Sequence, residues 1–261
     1  MSQLRPLINR QGEEVRVVAF MSGTGTNLLK ILEHQNKIYS ETNRFLYKIV
    51  GILTDNPLSN AQKISAEFNI PLEVNDINDF YKRKGLPRSD LSIREEFDST
   101  SLNLIEKFQP DMIVLAGYMS ILTKVIIDRF PTINVHPADL SIKHPDGSRK
   151  YIGAHAVRDA ILAGEKYIRS STHVVEEKVD NGRLLMISQG IEVILPHGFD
   201  PSNKHLLKQV EEINQRRLKE FGDWKILPLT IEYISLGYFE KDEKSNIYFK
   251  GKPVPNGVRL D

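Results

Sequence analysis

Apolar residues occur along the chain as short runs, interrupted by at most one charged residue, that alternate with stretches of helical periodicity. The clearest runs cover residues 15–21, 47–54, 112–116 and 132–135. A strand that is apolar throughout is buried on both faces, which is typical of a parallel sheet covered by helices. The pattern therefore predicts an α/β fold with a doubly wound, mostly parallel sheet.

The remaining segments complete a single α/β pattern. Helices are predicted from residue 28 onward and over 61–68, 92–108, 123–129, 155–163 and 204–221, and further strands over 71–74, 171–175 and 184–193. The turn-rich tail 247–260 predicts a terminal hairpin. Since neither a repeat nor a linker interrupts the pattern, we expect one domain over 1–261, with a core of about 15–236 and a C-terminal extension over 237–261.

Composition limits the classes of partner. Lys and Arg total 35 and Asp and Glu total 34, a formal net charge of +1, which favours neither nucleic acid nor a membrane surface. There is no cysteine, so disulfides, thiolate chemistry and Cys-based zinc sites are excluded. No apolar run approaches the roughly 20 residues of a membrane helix, and the N-terminus lacks a signal-peptide core. We expect a cytoplasmic protein.

The segment Ser22-Gly-Thr-Gly-Thr-Asn27 lies between the first strand and the first helix. Glycines let the backbone approach a ligand, and free amides at a helix N-terminus favour an anion. The third glycine of G-x-G-x-x-G is replaced by Leu28, so a single phosphate held by Gly25, Thr26 and Asn27 fits better than a dinucleotide. A plain helix cap explains the same residues equally well.

Two further segments carry candidate chemistry. Asn134 and His136, two residues apart at a strand end, point to one side and could both donate to one oxygen, as in an oxyanion site. A strand-end histidine satisfied by the backbone is the simpler alternative. Asp180, in the loop Asp-Asn-Gly after the strand with His173, suits a turn. It would raise the basicity of His136 if the fold brought them together.

Taken together, these segments resemble the formyltetrahydrofolate-dependent formyltransferases. The family's S-G-x-G-[ST]-N corresponds to residues 22–27, its P-D-x-[IV]-V-L-A-G-[FY]-M-x-I-L to 110–122, its N-[IV]-H-P to 134–137, its H-x-V strand and D-x-G loop to 173–182, and its terminal hairpin to 249–257. Each motif is short, but their order and spacing together are specific. The resemblance covers most of 15–257.

The resemblance implies transfer of a formyl group from 10-formyltetrahydrofolate to the amine of glycinamide ribonucleotide in purine synthesis, without a metal. Asn134 and His136 would stabilise the oxyanion, Asp180 would assist proton movement, and Gly25, Thr26 and Asn27 would hold the phosphate. The residues implied for folate binding are Arg94, Met119, Ser120, Ile121, Leu122, Val175 and Val179. The expected partners are these small molecules, and the protein is expected to be a monomer or homodimer.

The sequence departs from the family pattern around the acceptor. Residues 138–141 replace S-L-L-P, and the segment 142–152 is longer and more charged. Ser120 stands where an arginine is frequent, Arg183 follows Asn181-Gly182, and Asp223 only loosely matches a family glutamate. A different amine, such as an amino-sugar nucleotide, or water in a formyl-folate hydrolase, therefore stays open. An idle phosphate-binding module and a nicotinamide oxidoreductase using Asp55 are the alternatives from other classes.

Overall fold

A mostly parallel sheet organises the chain in the computed structural model, which describes residues 3–8 and 13–260. The strands are β1 (Arg5–Pro6), β2 (Val15–Met21), β3 (Tyr47–Thr54), β4 (Leu72–Val74), β5 (Met112–Leu115), β6 (Thr132–His136), β7 (Tyr167–Ile168), β8 (Ser171–Val174), β9 (Leu184–Ile187), β10 (Ile191–Glu192), β11 (Phe239–Lys241), β12 (Ile247–Phe249), β13 (Lys252–Pro253) and β14 (Val258–Arg259). The helices are α1 (Thr26–Thr42), α2 (Ala61–Phe68), α3 (Ile77–Lys84), α4 (Arg94–Glu106), α5 (Lys124–Ile127), α6 (Ala156–Leu162), α7 (Lys204–Leu218) and α8 (Trp224–Ser235).

The central sheet has the strand order β14-β9-β8-β6-β5-β2-β3-β4. Every neighbouring pair from β6 to β4 is parallel, β8 is antiparallel to both β6 and β9, and β14 is parallel to β9. Because parallel strands end at the same edge, the loops after β2, β5 and β6 meet there. The predicted doubly wound, mostly parallel fold is confirmed.

Side-chain alternation along β2 explains why every residue of that strand except Arg16 is apolar. Val17, Ala19 and Met21 belong to a core that also contains side chains of α1 and α8, whereas Val18 and Phe20 belong to a second core with Ile105 and Ile126. Both faces of the sheet are thus buried by helices, and every position of the strand except Arg16 contributes apolar area to one core or the other.

Several elements differ from the expectations in extent. The expected strand over 184–193 is two strands, since residues 188–190 lie outside any strand and β10 pairs with β7 instead of joining the central sheet. Helix α3 was not expected. The long helix over 204–221 ends at Leu218 and continues through a π-helical turn (Lys219–Asp223) into α8, which contains Pro228.

The C-terminal strands form more than a hairpin. β11 and β12 pair as an antiparallel hairpin, while β14 continues into the central sheet beside β9. From β14, Arg259 Nη2 donates to Asp139 Oδ2 at 3.0 Å and to Ser141 Oγ at 2.7 Å. The last strand is therefore tied to the segment that follows β6. None of the helices in the described part of the chain is long and apolar enough to cross a membrane.

A packing constraint in β3 gives a test of the fold. A Cβ at Gly51 would lie 2.5 Å from Cδ2 of Phe108 and 2.7 Å from its Cε2. We expect Gly51→Ala to reduce the free energy of unfolding by about 1–3 kcal/mol, as overpacking does. Denaturant unfolding measures this, and Phe108→Leu in the same chain should recover part of the loss. Gly23→Ala is the control, since its Cβ would meet nothing within 4 Å. Equal stability of Gly51→Ala and wild type would contradict the packing.

Candidate active site

One row of residues across the sheet sets the position of the candidate site. Phe20 of β2 is in register with Leu115 of β5, and Leu115 is in register with Asn134 of β6. The loop beginning at Ser22 and the residue His136 therefore both lie just beyond this row, at the carboxyl edge of the sheet. They are separated by two strand spacings, which is about 10 Å.

A buried carboxylate lies between two imidazoles. Asp180 Oδ2 is 3.3 Å from Nδ1 of His136, and its Oδ1 is 3.7 Å from Nε2 of His173. The backbone N–H of Gly153 donates to Oδ2 at 2.9 Å. Asn134 is in register with His173, and its Nδ2 is 3.4 Å from Nε2 of that ring. The fold thus brings Asn134, His136 and Asp180 together and adds His173.

The backbone partners of the rings determine where the protons reside. Nε2 of His136 is 3.1 Å from the carbonyl oxygen of Tyr151, and Nδ1 of His173 is 2.9 Å from the carbonyl oxygen of Val174. A carbonyl oxygen only accepts, so each of these nitrogens carries a hydrogen. When His136 is neutral, its Nδ1 therefore presents a lone pair toward Asp180, and this nitrogen is a proton-accepting position.

Burial and neighbouring groups shift the pKa values of both His136 and Asp180. Burial lowers the pKa of His136 below 6.5, while the Asp180 carboxylate opposes this shift. Burial alone would raise the pKa of Asp180, but the neighbouring His173 and His136 rings and the Gly153 amide lower it to about 2. The ionised carboxylate therefore stabilises the fold above the unfolded value of 3.8, and this contribution is lost as the pH falls toward 2.

The loop that carries Asp180 has a special backbone. Asp180 has a φ of 54°, in the left-handed region that Asp and Asn tolerate better than most residues. Two residues later, a Cβ on Gly182 would overlap the carbonyl oxygen of Val174. The D-x-G pattern therefore has a steric reason here, since only glycine lets the loop return this closely to β8.

The loop before α1 directs its carbonyls away from the helix terminus. Asn56 Nδ2 donates to the carbonyl of Ser22 at 2.9 Å, and the backbone N–H and side chain of Asn60 donate to the carbonyls of Gly23 and Thr24. Gly25, with a φ of 72°, is the N-cap, and its carbonyl accepts the first helical bond from Leu29. The amides of the first turn remain available to an anion, as at other helix N-termini.

Two polar atoms in this first turn lack partners. Thr26 Oγ1 and Asn27 Oδ1 are buried and have no hydrogen-bond partner among the described residues. Buried polar groups are normally satisfied, so these atoms point to a ligand or ordered water that supplies the missing bonds. The Thr26 hydroxyl can donate to a phosphate oxygen, whereas the Asn27 oxygen can only accept, which suits an O–H or N–H of a ligand.

The residues expected to bind folate lie in two segments. Met119, Ile121 and Val179 are exposed, whereas Ser120 and Leu122 are buried. The backbone N–H of Met119 donates to Ser22 Oγ at 2.8 Å, which ties this segment to the loop before α1. Val175 lines a cavity of about 570 Å³ together with Lys124, Ile127, Thr132, Glu177 and others. Thr132 begins β6 whereas His136 ends it, so this cavity lies toward the opposite end of that strand from His136, and the contact of Val175 with folate stays a prediction.

Arg94 occupies a buried position. It is 3% exposed, its guanidinium lies over the ring of Tyr81, and its Nε and Nη1 have no partner among the described residues. Nearby, Arg88 Nη2 donates to Ser120 Oγ at 3.1 Å, and Ser120 donates to the buried Asp55. Asp55 therefore pairs with Ser120 and Arg88, and the contact of Arg94 with folate stays a prediction.

Asp223, which sequence comparison matched only loosely, ends the π-helical turn. Burial raises its pKa to about 6, opposed by a hydrogen bond from Ser170 Oγ. Ser170 directly precedes Ser171, which is in register with His136. The π turn places a buried carboxyl next to the strand that borders the site, and such turns frequently occur at functional sites. An isolated five-residue π turn has no periodic sequence signal that would have revealed it.

The sequence identified Asn134, His136 and Asp180 but not the groups that hold them. The carbonyl of Tyr151 belongs to the segment 142–152 after β6, and the amide of Gly153 directly follows that segment. Backbone groups carry no residue-type signal, so sequence reasoning had no means of finding them. His173 was visible as part of a strand motif, and its register with Asn134 is what makes it a neighbour.

Known proteins are similar to this chain in architecture and in sequence. Phosphoribosylglycinamide formyltransferase of Haemophilus influenzae is 26% identical over 245 residues, 92% of this chain and 96% of that protein. Formyltetrahydrofolate deformylase of Escherichia coli O6:H1 is 32% identical over 121 residues, 46% of this chain and 36% of that protein.

The solved structure of the phosphoribosylglycinamide formyltransferase from Coxiella burnetii superposes with a TM-score of 0.69 at 23% identity and covers 95% of this chain and all of that one. At this identity the superposition shows the shared fold. The family model described as formyl transferase matches residues 15–218, from β2 to the end of α7. The chain belongs to the formyl transferase family of enzymes.

Proposed function

We propose that this protein transfers the formyl group of 10-formyltetrahydrofolate to the amine of glycinamide ribonucleotide, the step expected of it in purine synthesis. One observation carries the proposal: an anion-binding helix terminus and the cluster of Asn134, His136 and Asp180 share one edge of the sheet, about 10 Å apart by strand spacing. Glycinamide ribonucleotide has a phosphate at one end and the reactive amine at the other, with a ribose between them.

The phosphate is assigned to the amides at the start of α1. The Thr26 hydroxyl and the amides of Thr26 and Asn27 supply donors, while the Asn27 side-chain oxygen accepts from the rest of the ligand. A dinucleotide fits less well, because the carbonyls of the loop accept from Asn56 and Asn60, which precede α2, and the loop is followed by Leu28, which is buried in the core. The nicotinamide alternative loses support for the same reason.

Asn134 is assigned to the formyl oxygen. Its Nδ2 carries two hydrogens, of which one is directed at His173, so the second can donate to the oxygen on which negative charge develops. His136 has Nε2 bound to the Tyr151 carbonyl and Nδ1 facing Asp180, which leaves no hydrogen free for that oxygen when the ring is neutral. The geometry therefore favours a proton-accepting role for His136 over the oxyanion role first expected.

The proton balance follows from this pair. Attack of the amine on the formyl carbon forms a C–N bond and releases a proton from the nitrogen. The His136–Asp180 pair accepts that proton, directly or through a water, and forms an imidazolium next to an ionised carboxylate, which stabilises it. The same pair returns the proton when the bond to the folate nitrogen breaks.

The relatives include a deformylase, so water is the competing acceptor. The two reactions share the folate and the Asn134, His136 and Asp180 cluster but differ in the need for a phosphate-bound amine. The unpartnered Thr26 and Asn27 atoms favour the phosphorylated acceptor, because an acceptor water has no phosphate or ribose for these atoms to bind.

The acceptor is tested by release of tetrahydrofolate from 10-formyltetrahydrofolate, with and without glycinamide ribonucleotide. We expect release that depends on the ribonucleotide, and loss of about 10²–10³ in kcat for Asn134→Ala, the usual value of one oxyanion donor. His136→Ala should lose at least as much. His205→Ala, at an exposed position of α7, is the control.

Three outcomes separate the alternatives in this assay. Equal release without the ribonucleotide assigns the protein to formyl-folate hydrolysis. Folate binding without any release in either condition rules out the proposed transfer. Unchanged activity of both Asn134→Ala and His136→Ala would place the chemistry elsewhere and contradict the roles assigned to them.

The acid side of the pH profile tests the role of His136. Since the neutral ring accepts the proton and its pKa is lowered, kcat/KM should fall only as the pH drops below 6.5. The Asp180 carboxylate raises this pKa, so Asp180→Asn should lower kcat and also move the acid limb to lower pH. Rate profiles from pH 5 to 9 measure both effects. An acid limb that moves upward in Asp180→Asn would be incompatible with this assignment.

A further inference from the structure

The segment between Ile142 and Lys150 forms a tight hairpin beside the site. Lys150 N–H donates to the Ile142 carbonyl at 3.0 Å, His144 N–H donates to the Ser148 carbonyl at 2.8 Å, and Lys143 pairs with Arg149. These bonds fix the direction in which the last residues of the hairpin leave it. The hairpin is the longer, charged segment in which the chain departs from the family pattern.

Arg149 reaches from this hairpin to the loop of Asp180. Its Nη1 donates to the carbonyl of Asp180 and its Nη2 donates to the carbonyl of Gly182 at 2.7 Å. A guanidinium is a rigid fork of donors, so it fixes two acceptors relative to each other, which an ammonium group does not do. One carbonyl belongs to Asp180, whose backbone is in the left-handed region. The other belongs to Gly182, the glycine that approaches Val174 of β8 closely.

The same segment also holds the Asp180 side chain. Four residues after Arg149, the backbone N–H of Gly153 donates to Asp180 Oδ2, the oxygen that faces His136. Between them, the Tyr151 carbonyl accepts from His136 Nε2. One continuous stretch of chain therefore positions the backbone of Asp180, its carboxylate and the ring it faces.

We propose that Arg149 is a positioning residue for formyl transfer, which acts by locking the loop that carries Asp180 against His136. This inference rests on the proposed function for its kinetic consequence, but the locking of the loop stands on the contacts alone. The hydrogen bonds of Arg149 go to two backbone carbonyls and not to either imidazole ring, so Arg149 acts on His136 through the loop that it holds.

The positive charge of Arg149 also affects the pKa of His136, which a residue with a purely structural role would not do. The charged and titratable groups that act on His136 are Asp180, which raises its pKa, and His173 and Arg149, which lower it. Burial lowers the pKa of Arg149, and Asp180 and Glu176 oppose this. Removing the guanidinium charge should therefore raise the pKa of His136 and move the acid limb of kcat/KM to higher pH, opposite to the shift expected for Asp180→Asn.

The test compares Arg149→Gln, Arg149→Lys and Lys143→Gln. The last removes one charge from the opposite strand of the same hairpin, at an exposed position. For Arg149→Gln we expect kcat to fall about 10–100-fold, since a misplacement of about 1 Å can cost 10²-fold, with KM for the ribonucleotide within about threefold. Arg149→Lys should keep the acid limb in place and recover only part of kcat. Lys143→Gln should match wild type.

Amide hydrogen exchange of residues 176–183 measures the locking without any substrate. We expect faster exchange in Arg149→Gln than in wild type or Lys143→Gln. Unchanged exchange with wild-type kcat and acid limb in folded Arg149→Gln would overturn the proposal. If Arg149→Gln does not fold, Arg149→Lys tests the proposal. Wild-type kcat and wild-type exchange in Arg149→Lys would then contradict the role assigned to the two-pronged guanidinium. A wild type that transfers no formyl group contradicts the proposed function, while the exchange comparison still decides the lock.

Discussion

The structure of the site depends on one buried carboxylate. Asp180 is 7% exposed and lies between His136 and His173, and it stays ionised because those rings and the Gly153 amide more than offset the cost of its burial. A buried charge is tolerated only when it is paired and hydrogen-bonded. Each element that meets at this point is therefore constrained by it: the ends of β6 and β8, the loop before β9, and the segment after β6.

The central sheet and the hairpin between Ile142 and Lys150 position different parts of the site. The register of β2, β5 and β6 places the turn proposed to bind phosphate and the Asn134–His136 pair at one edge. The antiparallel pairing of β8 with β6 places His173 in register with Asn134. Arg259 from the last strand ties the start of the segment after β6, and Arg149 near its other end ties the Asp180 loop. The C-terminal extension is thus connected to the site through one segment.

The periodic parts of the structure were predictable because their physical signal is local. The apolar runs of β2 and β3 predicted those strands with the bounds observed. Asn134, His136 and Asp180 lie together as the family resemblance implied, although the residues by themselves left the distance between Asp180 and His136 open. What the sequence did not reveal is carried by backbone groups or by tertiary geometry. The Tyr151 carbonyl, the Gly153 amide and the π turn before Trp224 have no residue-type signal, and the burial of Arg94 depends on rings from α3 and α4.

The most direct test of this account is the protonation state of the buried cluster, read by NMR with ¹⁵N-labelled histidine and ¹³C-labelled aspartate. At neutral pH we expect a hydrogen on Nε2 of His136 and on Nδ1 of His173, as their carbonyl partners require. We also expect the Asp180 carboxyl to stay ionised from pH 7 down to 4, since its pKa is about 2. A neutral His136 with its hydrogen on Nδ1, or an Asp180 that titrates at or above 3.8, would contradict it.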